Sequence, residues 1–398
     1  MSYINTFNQP DSAVSAFGDL VAVDNTPVIQ LDFVYGANTN VGTLSSASSG
    51  TADTNGGRLR LQSGTNTAGS AVYVSLRPAK YRQGQGVTAR FTTAFATSAA
   101  SNTQIVGMGT TTDGYFVGFN GTAFGVLHRN GGADTWVAQA SFNGDVLDGT
   151  GPSGMTLNKT FGNVWMIRYP FLGYGAVKFF VSNSQGHWIL FHSIEYPNTT
   201  ATLQITNPNL PFRAQSINSG SSTNCTLYVG SVGVFINGER KFLGPKYGTG
   251  NRKAAVTTQT NIFSLRNATT YNGVLNQSLL RLRSVTAAWD GANNTGLLNI
   301  IKNPTLGGSP SYTPISGSTA NSGVTITSGQ SITSVDTAGT TITGGVILFN
   351  AALARNSNMV IDLETFDIFI EPGSILSFSV TGDSSGDTRV AATWVEDI

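Results

Sequence analysis

Charged residues, cysteine and histidine are all scarce in this chain. Lys and Arg number 22 and Asp and Glu 21 in 398 residues, so charged residues make up 11%, against roughly 25% in an ordinary soluble domain. The formal net charge of +1 provides no general attraction to nucleic acid or to anionic lipid. The single cysteine, Cys225, excludes an intrachain disulfide framework and any site with several thiolate ligands. We therefore expect no nucleic-acid partner.

Long apolar runs are missing as well. No stretch of about 18 apolar residues occurs, and residues 1–23 lack a basic segment followed by an apolar one. The sequence therefore predicts no membrane insertion and no signal peptide, which indicates synthesis in the cytosol.

Short apolar runs, in contrast, are abundant. They alternate or run continuously, recur about every ten residues and are separated by Gly, Asn, Asp and Ser, a pattern typical of β-sandwiches and jelly rolls. Only Ala351–Arg355 has the composition of a helical turn. We predict an all-β fold of two β-sandwich or jelly-roll domains in tandem, with almost no helix. The predicted strands include Pro27–Tyr35, Ala71–Leu76, Tyr115–Phe119, Phe124–Leu127, Val164–Tyr169, Val177–Val181, Trp188–Ile194, Thr226–Ile236, Ile262–Leu265, Leu279–Val285, Met359–Ile370, Ile375–Val380 and Arg389–Val395.

A basic segment indicates where the chain divides. Residues 239–253 hold five of the 22 basic residues among Gly and Pro. We predict an N-terminal extension over residues 1–24, a lectin-like jelly-roll β-sandwich over 25–239, a basic linker over 240–253 and a C-terminal β-sandwich over 254–398. The linker is where we expect a contact between subunits or with another protein.

Two glycine motifs suggest chemistry but lack its structural context. Gly382–Gly386 fits the G-x-S-x-G nucleophile pattern, yet a strand follows it and all three histidines lie in the other half of the chain. Gly149–Gly154 fits G-x-G-x-x-G, yet no helix follows to bind a phosphate. A hairpin turn and a loop explain them better. We assign no catalytic and no cofactor-binding residue and expect no cofactor.

One loop carries oxygen ligands of the kind that Ca²⁺ prefers. Asn143, Asp145 and Asp148 lie in a Gly-rich segment, but their spacing departs from the known calcium-loop pattern. Asx turns, in which the side-chain oxygens accept hydrogen bonds from the loop backbone, are the alternative. The sequence leaves cation binding by this loop open, and we assign no metal site.

Other polar and aromatic residues could serve glycans. No local motif raises Asp113, Glu195, Glu364 or Glu371 to a pair of glycosidase acids. Aromatic residues could stack on sugars where exposed, although most of those in strand patterns are expected in the core, as is Cys225. The aromatic candidates are Tyr115, Phe119, Phe124, Trp136, Tyr174, Trp188, Trp289 and Tyr312.

The first domain contains an ordered series of motifs over roughly residues 71–238. The motifs are Tyr81–Gly86, Arg90–Thr92, Gln104–Gly109, Asp113–Gly121, Phe124–Arg129, Phe142–Leu157, Tyr169–Gly175 and His192–Asn198. This series resembles a family of virion structural proteins from tailed bacteriophages and large DNA viruses. The C-terminal half, ending in TRVAATWVEDI, is similar in style to phage fibre tips and decoration domains.

This resemblance implies a non-enzymatic virion protein that forms a phage fibre, a spike or a decoration of the capsid or tail. Such a chain would be made in the host cytoplasm, assemble with other virion proteins and form a homo-oligomer, with a trimer as the first expectation. Adhesion to a host-surface glycan is a further task that we consider. The alternative is a polysaccharide-degrading tailspike enzyme, although the sequence lacks the repeats of a parallel β-helix.

Overall fold

A computed structural model of the chain describes residues 25–82, 84–96, 98–239, 244–291, 295–315, 317–319, 324–326 and 331–397. The chain divides after residue 240 into two compact units. Over the described residues every strand pairing is antiparallel, and helical structure is limited to the 3₁₀ turns Gln139–Ser141 and Glu364–Phe366. The predicted all-β fold is confirmed. The extension predicted for residues 1–24 lies outside the described residues.

The described part of the chain contains no helix that is long and apolar enough to span a bilayer.

The first unit is a sandwich of two sheets. An eight-stranded sheet has the order β13-β12-β11-β6-β15-β4-β3, with β1 also paired to β15, and a seven-stranded sheet has the order β10-β9-β8-β7-β14-β5-β2. Alternate residues of both sheets fill one core, in which Phe91 and Phe212 meet at 5.9 Å between ring centroids. The strands are β1 (Asn25–Asp32), β2 (Gly42–Ala47), β3 (Thr51–Asn55), β4 (Arg58–Gln62), β5 (Ser70–Ala79), β6 (Val87–Phe95), β7 (Asn102–Gly109), β8 (Gly114–Asn120), β9 (Ala123–Asn130), β10 (Ala133–Ala138), β11 (Asn163–Tyr169), β12 (Val177–Ser182), β13 (Trp188–Ile194), β14 (Leu210–Asn218) and β15 (Thr226–Asn237).

The second unit is also built of two main sheets. β16-β32-β20-β29 form one of them with β30 beside β20, and β23-β26-β17-β31-β21-β28 form the other. Leu282 and Trp394 of the first sheet share a core with Phe263 and Phe378 of the second. The strands are β16 (Lys246–Val256), β17 (Thr260–Asn267), β18 (Thr270–Tyr271), β19 (Val274–Leu275), β20 (Leu280–Asp290), β21 (Gly296–Lys302), β22 (Thr305–Leu306), β23 (Thr313–Pro314), β24 (Gly317–Thr319), β25 (Val324–Ile326), β26 (Thr333–Asp336), β27 (Ile342–Thr343), β28 (Val346–Leu353), β29 (Ser357–Asp362), β30 (Phe369–Ile370), β31 (Ile375–Gly382) and β32 (Gly386–Glu396).

The segment predicted as a basic linker is largely a strand. Lys246–Val256 forms β16, the edge strand of the five-stranded sheet, and pairs along its length with β32. The side facing the core carries Tyr247, Thr249 and Asn251, so the segment shows no apolar alternation in its sequence. Residues 240–243 lie outside the described residues.

Two further local predictions need correction. Ala351–Arg355 does not form a helical turn, because β28 extends to Leu353 and pairs with β21. The predicted strand Met359–Ile370 is interrupted: β29 ends at Asp362, a 3₁₀ turn follows, and β30 begins at Phe369. The left-handed backbone of Asp367, with φ of 49°, reverses the chain between the turn and β30.

Candidate functional site

Aromatic, cationic and amide side chains come together on the outer side of the seven-stranded sheet. Directly opposed residues on neighbouring strands point to the same side of a sheet, so the register assigns residues to the core or to the outer side. We call the outer side the Trp136 face and define it by two rows of residues and the neighbouring pair Arg129 and Asp134. The first row is Arg213, Gly107, Phe116, Leu127 and Trp136, and the second is Gln215, Ile105, Gly118, Gly125 and Ala138.

A small apolar cluster underlies this face. Ile105, Phe116 and Leu127 are buried in a group separate from the main core, and Trp136 packs against them while remaining partly exposed. Strands β7, β8 and β9 are therefore buried on both sides. The indole of Trp136 packs on this cluster, which holds it against the sheet.

Trp136 packs close to a glycine of the neighbouring strand. Gly125 and Gly118 are direct cross-strand partners, and a Cβ atom on Gly125 would lie 3.0 Å from Cε2 and Nε1 of the indole. The backbone carbonyl oxygen of Val137 lies closer still, so a larger residue at position 125 would displace backbone as well as the ring. The indole therefore packs closely on the sheet while remaining partly exposed.

Two arginines flank the aromatic residues. Arg129 donates through Nε and Nη2 to the two carboxylate oxygens of Asp134, at 2.6 and 2.9 Å, and its guanidinium carbon lies 5.7 Å from the ring centroid of Phe116. Arg213 donates through Nε to Oε1 of Gln215 at 2.8 Å. Burial, with a smaller contribution from the charge of Arg129, lowers the pKa of Arg213 to about 10.

A buried polar cluster fixes the loop beside this face. The Nε2–H of His128 donates to the carbonyl oxygen of Gln204 at 2.6 Å, and Oδ1 of Asp113 accepts from the backbone N–H of Thr206 at 2.8 Å. Tyr115 stacks on His128, with an angle of 10° between the rings. Burial lowers the pKa of His128, so the ring is neutral at pH 7 and suited to its carbonyl partner.

The other aromatic candidates are distributed as the strand pattern predicts. Tyr115, Phe119, Phe124 and Trp289 are buried, which confirms their prediction as core residues. Three candidates reach the surface away from the Trp136 face: Tyr174 donates to the Ala201 carbonyl oxygen, Trp188 lies on edge strand β13, and Tyr312 is covered by Arg266 at 4.3 Å. Cys225 is buried as predicted, and burial raises the pKa of its thiol.

The acidic loop is organised by Asx turns. Oδ1 of Asp145 accepts from the N–H of Leu147 and Oδ2 from the N–H of Ser153, while Oδ1 of Asp148 accepts from the backbone and hydroxyl of Thr150. The amide of Asn143 is instead paired with the backbone of Ser193. The predicted Asx turns are confirmed. Each of the three side chains is engaged with the backbone, and the described residues contain no group of three His, Cys, Asp or Glu arranged to hold a metal.

Both glycine motifs lie in turns. No helix follows Gly149–Gly154, where Gly151 packs against the carboxylate of Asp145. Gly382 ends β31 and Gly386 begins β32, so the G-x-S-x-G motif lies in a turn. The predicted hairpin is wrong, because β31 and β32 belong to different sheets and the turn connects the two sheets.

The four carboxylates considered for hydrolysis are not brought together. Asp113 is buried among backbone donors in the first unit, where Glu195 lies exposed outside the strands. In the second unit Glu364 pairs with Arg283 at 2.7 Å and Glu371 with Lys302 at 2.5 Å.

Sequence reasoning missed Arg213 and Gln215 as members of the face. The alternation in PFRAQSIN, with Phe212, Ala214 and Ser216 pointing inward, could have placed both residues on an outer side. No sequence signal places β14 next to β7, however, because the two strands are about a hundred residues apart.

The sequence matches no family model and no curated protein. Solved structures with similarity to the chain include the seed lectin of Lotus tetragonolobus, at 8% identity over 53% of this chain and 100% of the lectin, with a TM-score of 0.35. A glycosyl hydrolase family protein from Mycobacterium fortuitum is 14% identical over 50% of this chain and 93% of that protein, with a TM-score of 0.35. An endo-β-1,4-glucuronan lyase from Trichoderma reesei is 13% identical over 53% and 95%, with a TM-score of 0.33. Likenesses of this size indicate no shared function.

Proposed function

We propose that this chain is a non-enzymatic structural protein of a virion exterior, and that its first unit binds host-surface glycans through the Trp136 face. The observation that carries the glycan-binding part is the partly exposed indole of Trp136, packed closely against Gly125 of the neighbouring strand. The apolar side of a sugar ring packs on such a surface, and hydroxyl groups then reach the polar residues around it. Asp134, whose side chain is 48% exposed, keeps lone pairs available to accept from sugar hydroxyls.

The rigidity of the indole favours binding. Trp136 packs against Gly125 and against the apolar cluster of Ile105, Phe116 and Leu127. Because the side chain is already held in place, little side-chain entropy is lost when a ligand binds. Tryptophans in such settings commonly dominate a binding interface.

Replacing Trp136 with alanine tests the glycan-binding proposal. We expect the variant to lose at least about 2 kcal/mol of binding free energy, or roughly thirtyfold in affinity, because the stacking surface is removed. Binding of the full chain to an array of bacterial surface glycans, followed by titration calorimetry on the best ligand, measures the change.

Trp188→Ala is the matched control, since Trp188 is a partly exposed tryptophan on the other sheet. Its affinity for the glycan should equal that of the wild type. Equal affinity of the Trp136 variant and the wild type would place binding elsewhere and overturn the proposal.

The virion part of the proposal is supported by the ordered motifs of residues 71–238, which span strands β5 to β15 of the first unit. A fold held by antiparallel ladders between distant segments is typical of slowly unfolding proteins, as a particle exterior needs. We propose a homotrimer that assembles with other capsid or tail proteins in the host cytoplasm.

Labelling of purified particles tests this part. Antibodies against the second unit, viewed by negative-stain electron microscopy, should decorate the capsid or tail surface at regular positions. Sedimentation of the purified chain should give a mass of three times 41.7 kDa. A monomer in solution together with unlabelled particles would contradict the proposal.

The absence of enzyme activity is likewise proposed. It is supported by the separation of Asp113 and Glu195 from Glu364 and Glu371 into different units, and by the engagement of Asp113, Glu364 and Glu371 with donors or cations. Release of oligosaccharides from the bound glycan on long incubation would favour the tailspike enzyme instead.

A further inference from the structure

Arg213 is held differently from most arginines of the two units. Within the described residues, Arg60, Arg129, Arg252, Arg281 and Arg283 form ion pairs, and Arg58, Arg90 and Arg266 lie over aromatic rings. Arg213 is half-buried on the Trp136 face, and within the described residues no carboxylate lies within ion-pair distance of its guanidinium. Its hydrogen-bond partner is the neutral amide of Gln215.

An anion would stabilise this arrangement. A cation that is partly withdrawn from water without a counterion costs free energy, and the neighbouring charge of Arg129 adds repulsion. Arg129 is itself paired with Asp134, so that carboxylate is already engaged. The pKa of Arg213, lowered to about 10, still leaves the group charged at neutral pH, and the cation persists without a protein anion to pair with.

The geometry leaves one edge of the guanidinium free. Nε is bound to Oε1 of Gln215, which fixes the orientation of the group, and Gln215 is itself buried. The two terminal Nη groups have no partner in the described part of the chain. A guanidinium edge of two parallel N–H donors matches a carboxylate, which accepts two hydrogen bonds in one plane.

We infer that the glycan bound on the Trp136 face carries a carboxylate, as in a uronic acid, and that Arg213 binds this group while Trp136 stacks on a sugar ring. The inference rests on the proposed glycan-binding function. Arg213 and Trp136 lie four strand spacings apart, on the order of 19 Å between Cα atoms, in one row on the same side of the sheet. The span fits two or three sugar residues.

Titration with matched ligands tests the inference. The probes are trisaccharides of galacturonate, glucuronate and mannuronate, each used as the free acid and as its methyl ester, which keeps the sugar and removes the charge. We expect the wild-type full chain to bind at least one acid on the order of tenfold more tightly than its ester, because a charge-assisted hydrogen bond is lost in the ester. Arg213→Gln should reduce that ratio to about one, while Arg213→Lys keeps part of it.

Arg90→Gln is the control, because Arg90 is an exposed arginine over Phe235 on the outer side of the other sheet. It should keep the wild-type ratio of acid to ester affinity. Thermal unfolding of each variant shows that the fold is retained.

The outcomes separate the inference from the function on which it rests. Equal affinity of the wild type for acid and ester, with binding lost in Trp136→Ala, overturns the carboxylate inference and leaves the glycan-binding function intact. An acid preference that survives in Arg213→Gln also overturns it. Binding to none of the acids or esters, nor to any glycan on the surface-glycan array, overturns the proposed function itself.

Discussion

Replacing Trp289 with alanine is expected to lower the free energy of unfolding of the second unit by about 4 kcal/mol. The side chain is 1% exposed at the centre of the unit's core. Three glycines enclose its ring, so that Cβ atoms built on Gly296, Gly382 and Gly386 would fall within 2.9 Å of ring atoms. A rigid enclosure of backbone collapses poorly around a deletion, so a large cavity remains.

Hydrogen exchange on strands β20, β31 and β32, combined with urea denaturation, measures this loss in the second unit. The matched variant is Trp188→Ala in the first unit, where the side chain is 37% exposed and a change of about 0.5 kcal/mol is expected. Similar losses for the two variants would show that the glycine enclosure does not hold the indole tightly.

A double-mutant cycle between Gly386 and Trp289 isolates the contact itself. Atoms of the Trp289 ring are the nearest neighbours of a Cβ on Gly386, with Cε2 and Cη2 at 2.7 Å. Gly386→Ala should therefore cost about 2 kcal/mol alone and close to nothing in a Trp289→Leu background. A cost that is the same in both backgrounds would mean that the backbone of the turn, rather than the ring, requires glycine.

Replacing Glu396 with glutamine should destabilise the second unit by about 3 kcal/mol. Its fully buried carboxylate accepts from the hydroxyls of Ser331 and Thr333 at 2.5 and 2.6 Å, and from the N–H of Ile332 at 3.0 Å and Nε1 of Trp394 at 3.3 Å. Both oxygens are surrounded by donors. In glutamine an NH₂ group would replace one of these oxygens, so its hydrogens would face the donors that the oxygen accepts from. The negative charge that strengthens the hydrogen bonds would also be lost.

The control for this substitution is Glu364→Gln, which removes the charge of a surface ion pair with Arg283. Its expected cost is below 1 kcal/mol, since exposed pairs contribute little. Urea unfolding of the second unit, followed by hydrogen exchange in β26 and β32, distinguishes the two variants. A loss of less than 1 kcal/mol for Glu396→Gln would show that water replaces the charged acceptor.

Much of the fold could be predicted from local sequence. Alternation predicts most strands of both units, and the hairpin between β8 and β9 turns at Asn120-Gly121, a dipeptide favoured in tight turns, where Gly121 adopts a φ of 62°. Strand β16 is not predicted because its inward residues are polar, and Ala351–Arg355 is wrongly predicted as a helical turn because alanine gives no strand signal. Periodicity reports burial, so strands that bury few apolar groups are hidden from it.

The candidate site was far less accessible to sequence reasoning. Trp136 could be named as an aromatic candidate, but its fixation over Gly125 depends on the pairing of β9 with β10, and its row reaches Arg213 only through the order of five strands. Likewise the glycines at 382 and 386 resemble a nucleophile motif in sequence, while in the fold they leave room for an indole nearly a hundred residues away.

The basic residues within 246–253 of strand β16 affect how copies of the chain associate. This strand is an edge strand, whose unpaired backbone groups would otherwise offer a template for another chain to add to the sheet. Lys246 and Lys253 place two cations along this edge, where a second copy of the same edge would meet like charge, while the charge of Arg252 is balanced by Asp387. That repulsion disfavours pairing between the open sheet edges of two copies, and so opposes aggregation of the chain at high concentration.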